Sequence, residues 1–450
     1  GADFRYVLDE WLSNRSNPVD AVVLERTEWG NFHGFITEVR QEGKVVATGA
    51  DAWKAYLPLQ ERANTLREQL HEVEDGDIST INFELEQVRL DGRRLALAGK
   101  TEVNAPEAYA KLAERKAALD ARYEKVRVEL AALKSEMRRD MLVLKSVDGQ
   151  EKELELSEII RAYRPNEMSL MAKVGLYFAK LWEFVSADPR EANTEGGIFP
   201  AIFGTVMMVL LMSVFVTPFG ILAALYLREY AKQGPVTQII RIAVNNLAGV
   251  PSIVYGMFGL GFFVYFLGGN LDRLFYPETL PAPTFGTPGI LWASLTLAIL
   301  TLPVVIVATE EGLARIPRSI REASLSLGAT KAETLWKIVL PMASPAMMTG
   351  LILAIARAAG EVAPLMLVGV VKLAPSLPLD GNFPFVHLER KFMHLGFHIY
   401  DVGFQSPNVE AARPLVYATS FLLVLVIILL NVSAIRIRNR LREKYKALEG

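Results

Sequence analysis

The sequence predicts a mainly α protein in two parts, a polytopic α-helical membrane domain preceded by an α+β domain with a long helical hairpin. Apolar residues make up 51% of the 450-residue chain but are unevenly placed. Residues 1–195 hold most of the charge, whereas from Gly196 onward uncharged runs reach the ~20 residues that a helix needs to cross a bilayer. Within the charged part, alternation of apolar and polar positions gives way to three- and four-residue spacing. There is no cysteine in these residues, which removes disulfides, thiolate metal sites and cysteine nucleophiles from consideration. The net charge of −2 averages over both parts and offers nothing in favour of nucleic-acid binding.

Residues 17–50 alternate around turn residues in AVVLER, FHGFITEVR and GKVVATG, the pattern of short strands. Leu59, Leu66 and Leu70, then Ile78, Ile81, Leu85 and Val88, follow helical spacing. Residues 106–139 repeat it with Leu112, Leu119, Val126, Leu130, Leu133 and Met137. With AGKTEVNAP turning the chain between them, an antiparallel hairpin is expected over about 55–140, its first arm interrupted at Gly76. MLVLKSVDGQEKELEL adds a β-hairpin that turns at Asp148-Gly149. The charged faces of the helical hairpin read as solvated surface, with a docking arm for a partner as the alternative. VGLYFAKLWEFV, Val174 to Val185, lies either along the membrane surface or in the core of this first domain.

Five spans are expected at about 198–227, 242–270, 288–310, 343–371 and 414–436. Residues 228–241, 310–341 and 436–446 carry 14 Lys and Arg in 57 positions, against 5 in 59 for 272–288 and 372–413. Positive charge beside spans is retained in the cytoplasm. The first set and the C-terminus are therefore assigned to the cytoplasm and residues 1–195 to the outer face. Export of 1–195 leads us to expect a further membrane helix ahead of Gly1.

REASLSLGATKAETLWKIVLP, Arg321 to Pro341, is amphipathic and cationic between two apolar runs. Glu322-Ala323 is followed by Gly328, six residues after the Glu, and then by IVLP; two helices meeting at Gly328-Ala329 make a compact helix-turn-helix. This spacing resembles the coupling motif of ABC importer permeases, E-A-A, then G, then I-x-L-P, with Ser324 where the motif has its third residue, Ala. GGIFPAIFGT (196–205), LAGVPSIVYGMFGL (247–260) and ARAAGEVAP (356–364) narrow the resemblance to phosphate-specific transport (Pst) permeases over essentially all of 196–435. REANTEGGIFPAIFGT after a large exported insertion is similar to the A-type subunit in its long form.

The resemblance implies a bacterial inner-membrane permease of six spans, in keeping with a helix ahead of Gly1, with residues 1–195 periplasmic. It implies that 321–341 couples to a cytoplasmic ATPase through Glu322, Ala323, Gly328, Ala329 and Pro341. The implied partners are a second, C-type permease as heterodimer, two ATPase subunits and a periplasmic phosphate-binding protein. The chain has no G-x-x-x-x-G-K-[ST] loop, so ATP and Mg belong to the ATPase partner, and neither a cofactor nor a catalytic residue is expected here. The alternatives are a permease for another oxyanion, molybdate or sulfate, and a scaffold that reports phosphate status to a phosphate-regulon sensor.

Arg357 and Glu361 fall inside the fourth expected span and, at i and i+4, share a helix face. Charges at that depth line a polar pathway or are paired, and a guanidinium suits phosphate oxygens. The pair either offers positive potential to phosphate or is a structural ion pair at the second permease. Pro251 removes a backbone hydrogen bond from the second expected span, flanked by Gly249 and Gly256. This hinge either opens backbone to the pathway, with Ser252 and Tyr255 facing phosphate, or is a kinked packing site. Asn245 and Asn246 either bond between helices or end a solvated one. His394 and His398, four apart, lack a third ligand and read as ordinary residues of an exported loop, with no metal. YPETLPAPTFGTPG and APSLPLDGNFPF are exported loops and candidate docking surfaces for the carrier.

Overall fold

The structure, a computed structural model, describes residues 9–11, 16–146, 148–190, 193–406 and 409–446. Val147 of the expected β-hairpin and Glu191-Ala192 of REANTEGG lie outside them. The chain forms two compact units, Gly1–Gly197 with Pro277–Thr279, and Ile198–Tyr276 with Leu280–Gly450.

In the first unit, strands β1 (Val22–Arg26), β2 (Phe32–Gln41), β3 (Lys44–Thr48), β4 (Asp140–Ser146), β5 (Glu151–Glu155) and β6 (Ile159–Tyr163) form one antiparallel sheet. Its order is β5-β4-β2-β1-β6, with β3 on β2. Helix α1 (Ala52–Glu72) packs Tyr56 and Ala63 into a core with Leu24, Leu142, Leu144 and Ile159. Tyr56 donates to Gln60 Oε1 (2.8 Å) and the Gln60 amide donates to the Ile159 carbonyl (2.7 Å), so this buried polar pair is satisfied and ties the helix to β6.

The helix does not stop at Gly76. It passes through a π-helical turn, Val73–Ile78, into α2 (Ser79–Leu97), and α3 (Pro106–Met137) returns. Ile81, Val88, Leu119 and Val126 bury the seam. Ion pairs flank it, Lys134–Glu74 at 2.8 Å and Arg122–Asp77 at 2.7 Å, and such flanking charges set the register of a narrow two-helix contact. Helix α4 (Leu170–Ser186) has no buried residue. Leu170, Met171, Tyr177, Phe178 and Trp182 are 63–80% exposed, which rules out the core-helix reading of this stretch. Its polar side is held by Lys180 on Glu25 and by Arg190 on Glu183 (2.8 Å).

Among the described residues the second unit has five helices long and apolar enough to cross a membrane: Phe199–Tyr230, Ser252–Phe275, Ile290–Ala314, Lys331–Ala359 and Ala412–Arg440. Met208 and Met212 of the first, Leu297 and Val305 of the third and Ala354 and Ala358 of the fourth share one core. The third helix has 67% of its apolar window buried and the fifth only 17%, so the third is central and the fifth faces outward.

Two helices differ from the hydropathy reading. The second begins at Ser252, not near 242: residues 242–247 belong to a separate helix, Pro235–Leu247, and Pro251 stands at the new helix start with φ −54° and ψ 134°. Proline lacks the N–H an interior position needs and pushes the preceding residue out of helical angles. The fourth runs Lys331–Ala359 rather than 343–371. A capping box at Thr330 starts it early, and Gly360, followed by Pro364, ends it before Glu361.

Candidate functional site

The basic stretch folds as helix Arg318–Ser326, a turn at Leu327-Gly328-Ala329, and the first turns of the fourth span. Its second helix is thus continuous with a membrane helix. Gly328 has φ +86° and open space where a Cβ would stand, so glycine is favoured there by backbone conformation and not by lack of room. Thr330 Oγ1 accepts from the Glu333 amide (3.2 Å), and Glu333 Oε2 accepts from the Thr330 amide (3.0 Å), which satisfies two helix-start donors. Ser324 is buried and its hydroxyl pairs with that of Thr334 at 2.8 Å. The departure from Ala at this position therefore ties the two helices together across the turn.

Glu322, Ala323 and Gly328 are exposed, Ala329 and Pro341 half-buried. Around them Leu325, Leu327 and Trp336 are also exposed, Leu327 by 90%, an apolar surface that invites a partner. Behind this surface the loop is fastened to its own unit. Arg321 donates to Glu229 (3.0 Å) and to the carbonyls of Leu313 (2.8 Å) and Ile316 (2.7 Å). Lys331 donates to the Glu229 carbonyl and stands 4.7 Å from the Tyr230 ring. Arg241 reaches Glu310 at 3.2 Å. Of these, Glu229, Arg241 and Glu310 were not singled out from sequence, where their only mark is a charge beside an apolar run.

Arg357 Nε lies 3.7 Å from Glu361 Oε1, both half-buried. Because the helix ends at Ala359, the two do not share a helix face as expected; the pair closes across the helix end. Tyr255 is buried and donates to the Leu247 carbonyl at 2.5 Å, bridging the break at Pro251. A Cβ on Gly256 would come 2.6 Å from Pro364 Cα, so this glycine permits close packing of the second helix on the GEVAP segment. Gly249 sits in the turn, its amide on the Asn246 carbonyl (3.0 Å). Asn245 and Asn246 are exposed and Ser252 half-buried. The fold thus gathers Gly256 with Pro364 and Arg357 with Glu361 around the end of the fourth helix.

His394 caps the short helix Leu395–Tyr400 and His398 lies within it, and both are buried. They are 1% and 2% exposed, and His394 Nδ1 accepts from the Gly396 amide (3.1 Å) at the start of helix Leu395–Tyr400. Asp401, equally buried, pairs with Lys372 at 3.0 Å. Among the described residues no group of three His, Cys, Asp or Glu could hold a metal. Burial pushes the His394 imidazole down to about 3. Burial also pushes His398 down, to about 4, with Asp401 opposing and Lys372 reinforcing the fall.

Between the unfolded value of 6.5 and these folded values, the unfolded chain binds more protons. Stability is therefore full above about pH 6.5 and declines as pH falls, by up to about 1.4 kcal/mol per pH unit for each histidine. Melting curves of the detergent-solubilised protein between about pH 7 and about pH 4 should show a falling Tm. His394→Asn/His398→Asn should flatten that fall, and an unchanged slope would assign it to other groups.

Residues 216–446 match the model of a family described as binding-protein-dependent transport system inner membrane component. The phosphate transport system permease protein PstA of Yersinia pestis is 32% identical over 251 residues, 56% of this chain and 75% of that protein. The chain belongs to this family of ABC importer permeases, on its Pst branch. A PstA of Mycobacterium leprae is 36% identical over 219 residues, 48% of the permease and 66% of that protein. A Bacillus subtilis relative, a probable ABC transporter permease protein named YqgI, is 28% identical over 260 residues, 56% of the permease and 81% of its own length. The permease therefore spans just under two thirds of the Mycobacterium leprae protein. The match at 216–446 includes the coupling stretch, the Pro251 break and the Arg357–Glu361 pair.

Proposed function

We propose that this chain is the A-type permease subunit of an ATP-driven importer of inorganic phosphate. It works as a heterodimer with a C-type permease, over two cytoplasmic ATPase subunits that hold ATP and Mg, and it receives phosphate from a periplasmic binding protein. The observation that carries the coupling role is the exposed Glu322–Gly328 turn, whose second helix runs without a break into the fourth span. A push on that turn has a rigid lever to act on, and Arg321 carries it to Glu229 at the end of the first. The charge asymmetry of the loops supports a cytoplasmic location for this end and for the C-terminus, in an inner membrane, with residues 1–195 periplasmic.

Phosphate as substrate is supported by the PstA relatives and by a half-buried guanidinium, Arg357, at the end of the fourth helix. For the carrier, the 372–394 loop offers Phe383 and Phe385, 77% and 52% exposed. Phe385 has φ +68°, a strained state for a bulky residue. His387 between Asp380 (3.0 Å) and Glu389 (3.2 Å) and Arg390 on Asp380 (2.6 Å) hold it there.

The test is co-purification of the chain with its second permease and ATPase, followed by reconstitution into ATP-loaded vesicles. Phosphate uptake should require the carrier and resist excess molybdate or sulfate. Uptake of either of those in preference to phosphate would overturn the substrate. Unaltered uptake with lost phosphate regulation after deletion of 55–140 would give the hairpin a sensor role.

A further inference from the structure

A cavity of about 600 Å³ opens between the C-terminal ends of the third and fifth spans and the middle of the long fourth helix. Met342, Pro345 and Ala346 give it an apolar wall, and Arg315, Arg438 and Arg442 stand around it. Arg438 and Arg442 are one helical turn apart on the last helix, Val409–Lys446. Among the described residues none of the three has a carboxylate closer than 4.0 Å. Arg315 has Glu311 at 4.0 Å, Arg438 bonds only the Asn439 side-chain oxygen at 3.3 and 3.4 Å, and Arg442 has no ion pair among the described residues.

Two guanidiniums with no ion pair among the described residues, and a third whose carboxylate stands 4.0 Å away, beside an apolar wall call for a ligand that is anionic at one end and apolar at the other. The cavity also sits where membrane helices end, the depth at which a phospholipid changes from headgroup to acyl chain. We propose that it binds one anionic phospholipid, its phosphodiester on Arg315, Arg438 and Arg442 and its upper acyl carbons along Met342, Pro345 and Ala346. A free phosphate ion would use the arginines and gain nothing from the wall. The proposal takes only its leaflet, the cytoplasmic one, from the orientation proposed above.

The protein is reconstituted in nanodiscs of phosphatidylcholine with a small share of phosphatidylglycerol, extracted in mild detergent, and its retained lipids counted by native mass spectrometry. The wild type should keep phosphatidylglycerol. Arg438→Gln/Arg442→Gln should lose it about tenfold. Arg436→Gln/Arg440→Gln removes the same charge from the same helix off the cavity and should keep it. Equal loss in both variants would mean diffuse attraction by the basic tail and overturn the site, as would no loss in the first. Displacement by millimolar phosphate would reassign the site to a free anion, and displacement by the ATPase partner to a protein contact. Lipid retention does not depend on the imported ion, so failure of the phosphate assignment would leave it untouched.

Discussion

Gly328→Val is expected to lower ATP-driven phosphate uptake by about thirtyfold or more while the chain stays folded in the membrane. The left-handed angles at this position, φ +86°, cost an L-residue about 1–2 kcal/mol, and a β-branched residue more; at about 1.4 kcal/mol per tenfold this is a large bias against the turn. Nothing lies within 4 Å of the added Cβ, so the strain is not mixed with a clash. It is relieved by changing the angle between helix Arg318–Ser326 and the fourth span, and in the coupling proposed above that angle aims Glu322 and Ala323 at the ATPase. Gly328→Asn, a residue that visits the left-handed region, should retain most uptake, and Gly328→Ala should fall between. ATPase stimulation and uptake are measured on the same reconstituted assembly. Wild-type coupling in the valine variant would remove this turn from the coupling path.

How far the fold was legible follows from what each signal measures. Apolar runs located five spans, and the spacing of Glu322, Ala323, Gly328 and Pro341 located a helix-turn-helix. The same runs misplaced the start of the second span and both ends of the fourth, because hydropathy sums apolarity and is blind to termination. Pro251, Thr330 with Glu333, and Gly360 decide those ends. Helical spacing carried the hairpin past Gly76, where a π-helical turn absorbs the residue that seemed to break it. His394 and His398 read as ordinary loop residues because polar residues between spans look like loop; only the folded chain shows that both are buried and that His398 lies in a short helix. Ser324 looked like a mild departure from a motif; its reason, Thr334, is ten residues away and reachable only through the turn.

The Arg357 series separates a phosphate contact from a structural pair. At 3.7 Å the contact with Glu361 is an ion pair without a hydrogen bond, so the planar fork keeps its donors for another acceptor. Charge-assisted hydrogen bonds are worth about 1.5–3 kcal/mol each, hence Arg357→Ala should lower uptake by about tenfold to a hundredfold. Arg357→Lys keeps the charge but not the bidentate geometry and should lose about tenfold, chiefly as weaker apparent phosphate affinity. Glu361→Gln leaves the arginine in place and should cost less than either. If the pair instead serves the contact with the second permease, Arg357→Ala should fail to co-purify with that subunit, and Arg357→Lys should restore both assembly and uptake. Full uptake in Arg357→Lys would therefore end the phosphate-contact role, because the lysine supplies the charge and the fork is the one property it lacks.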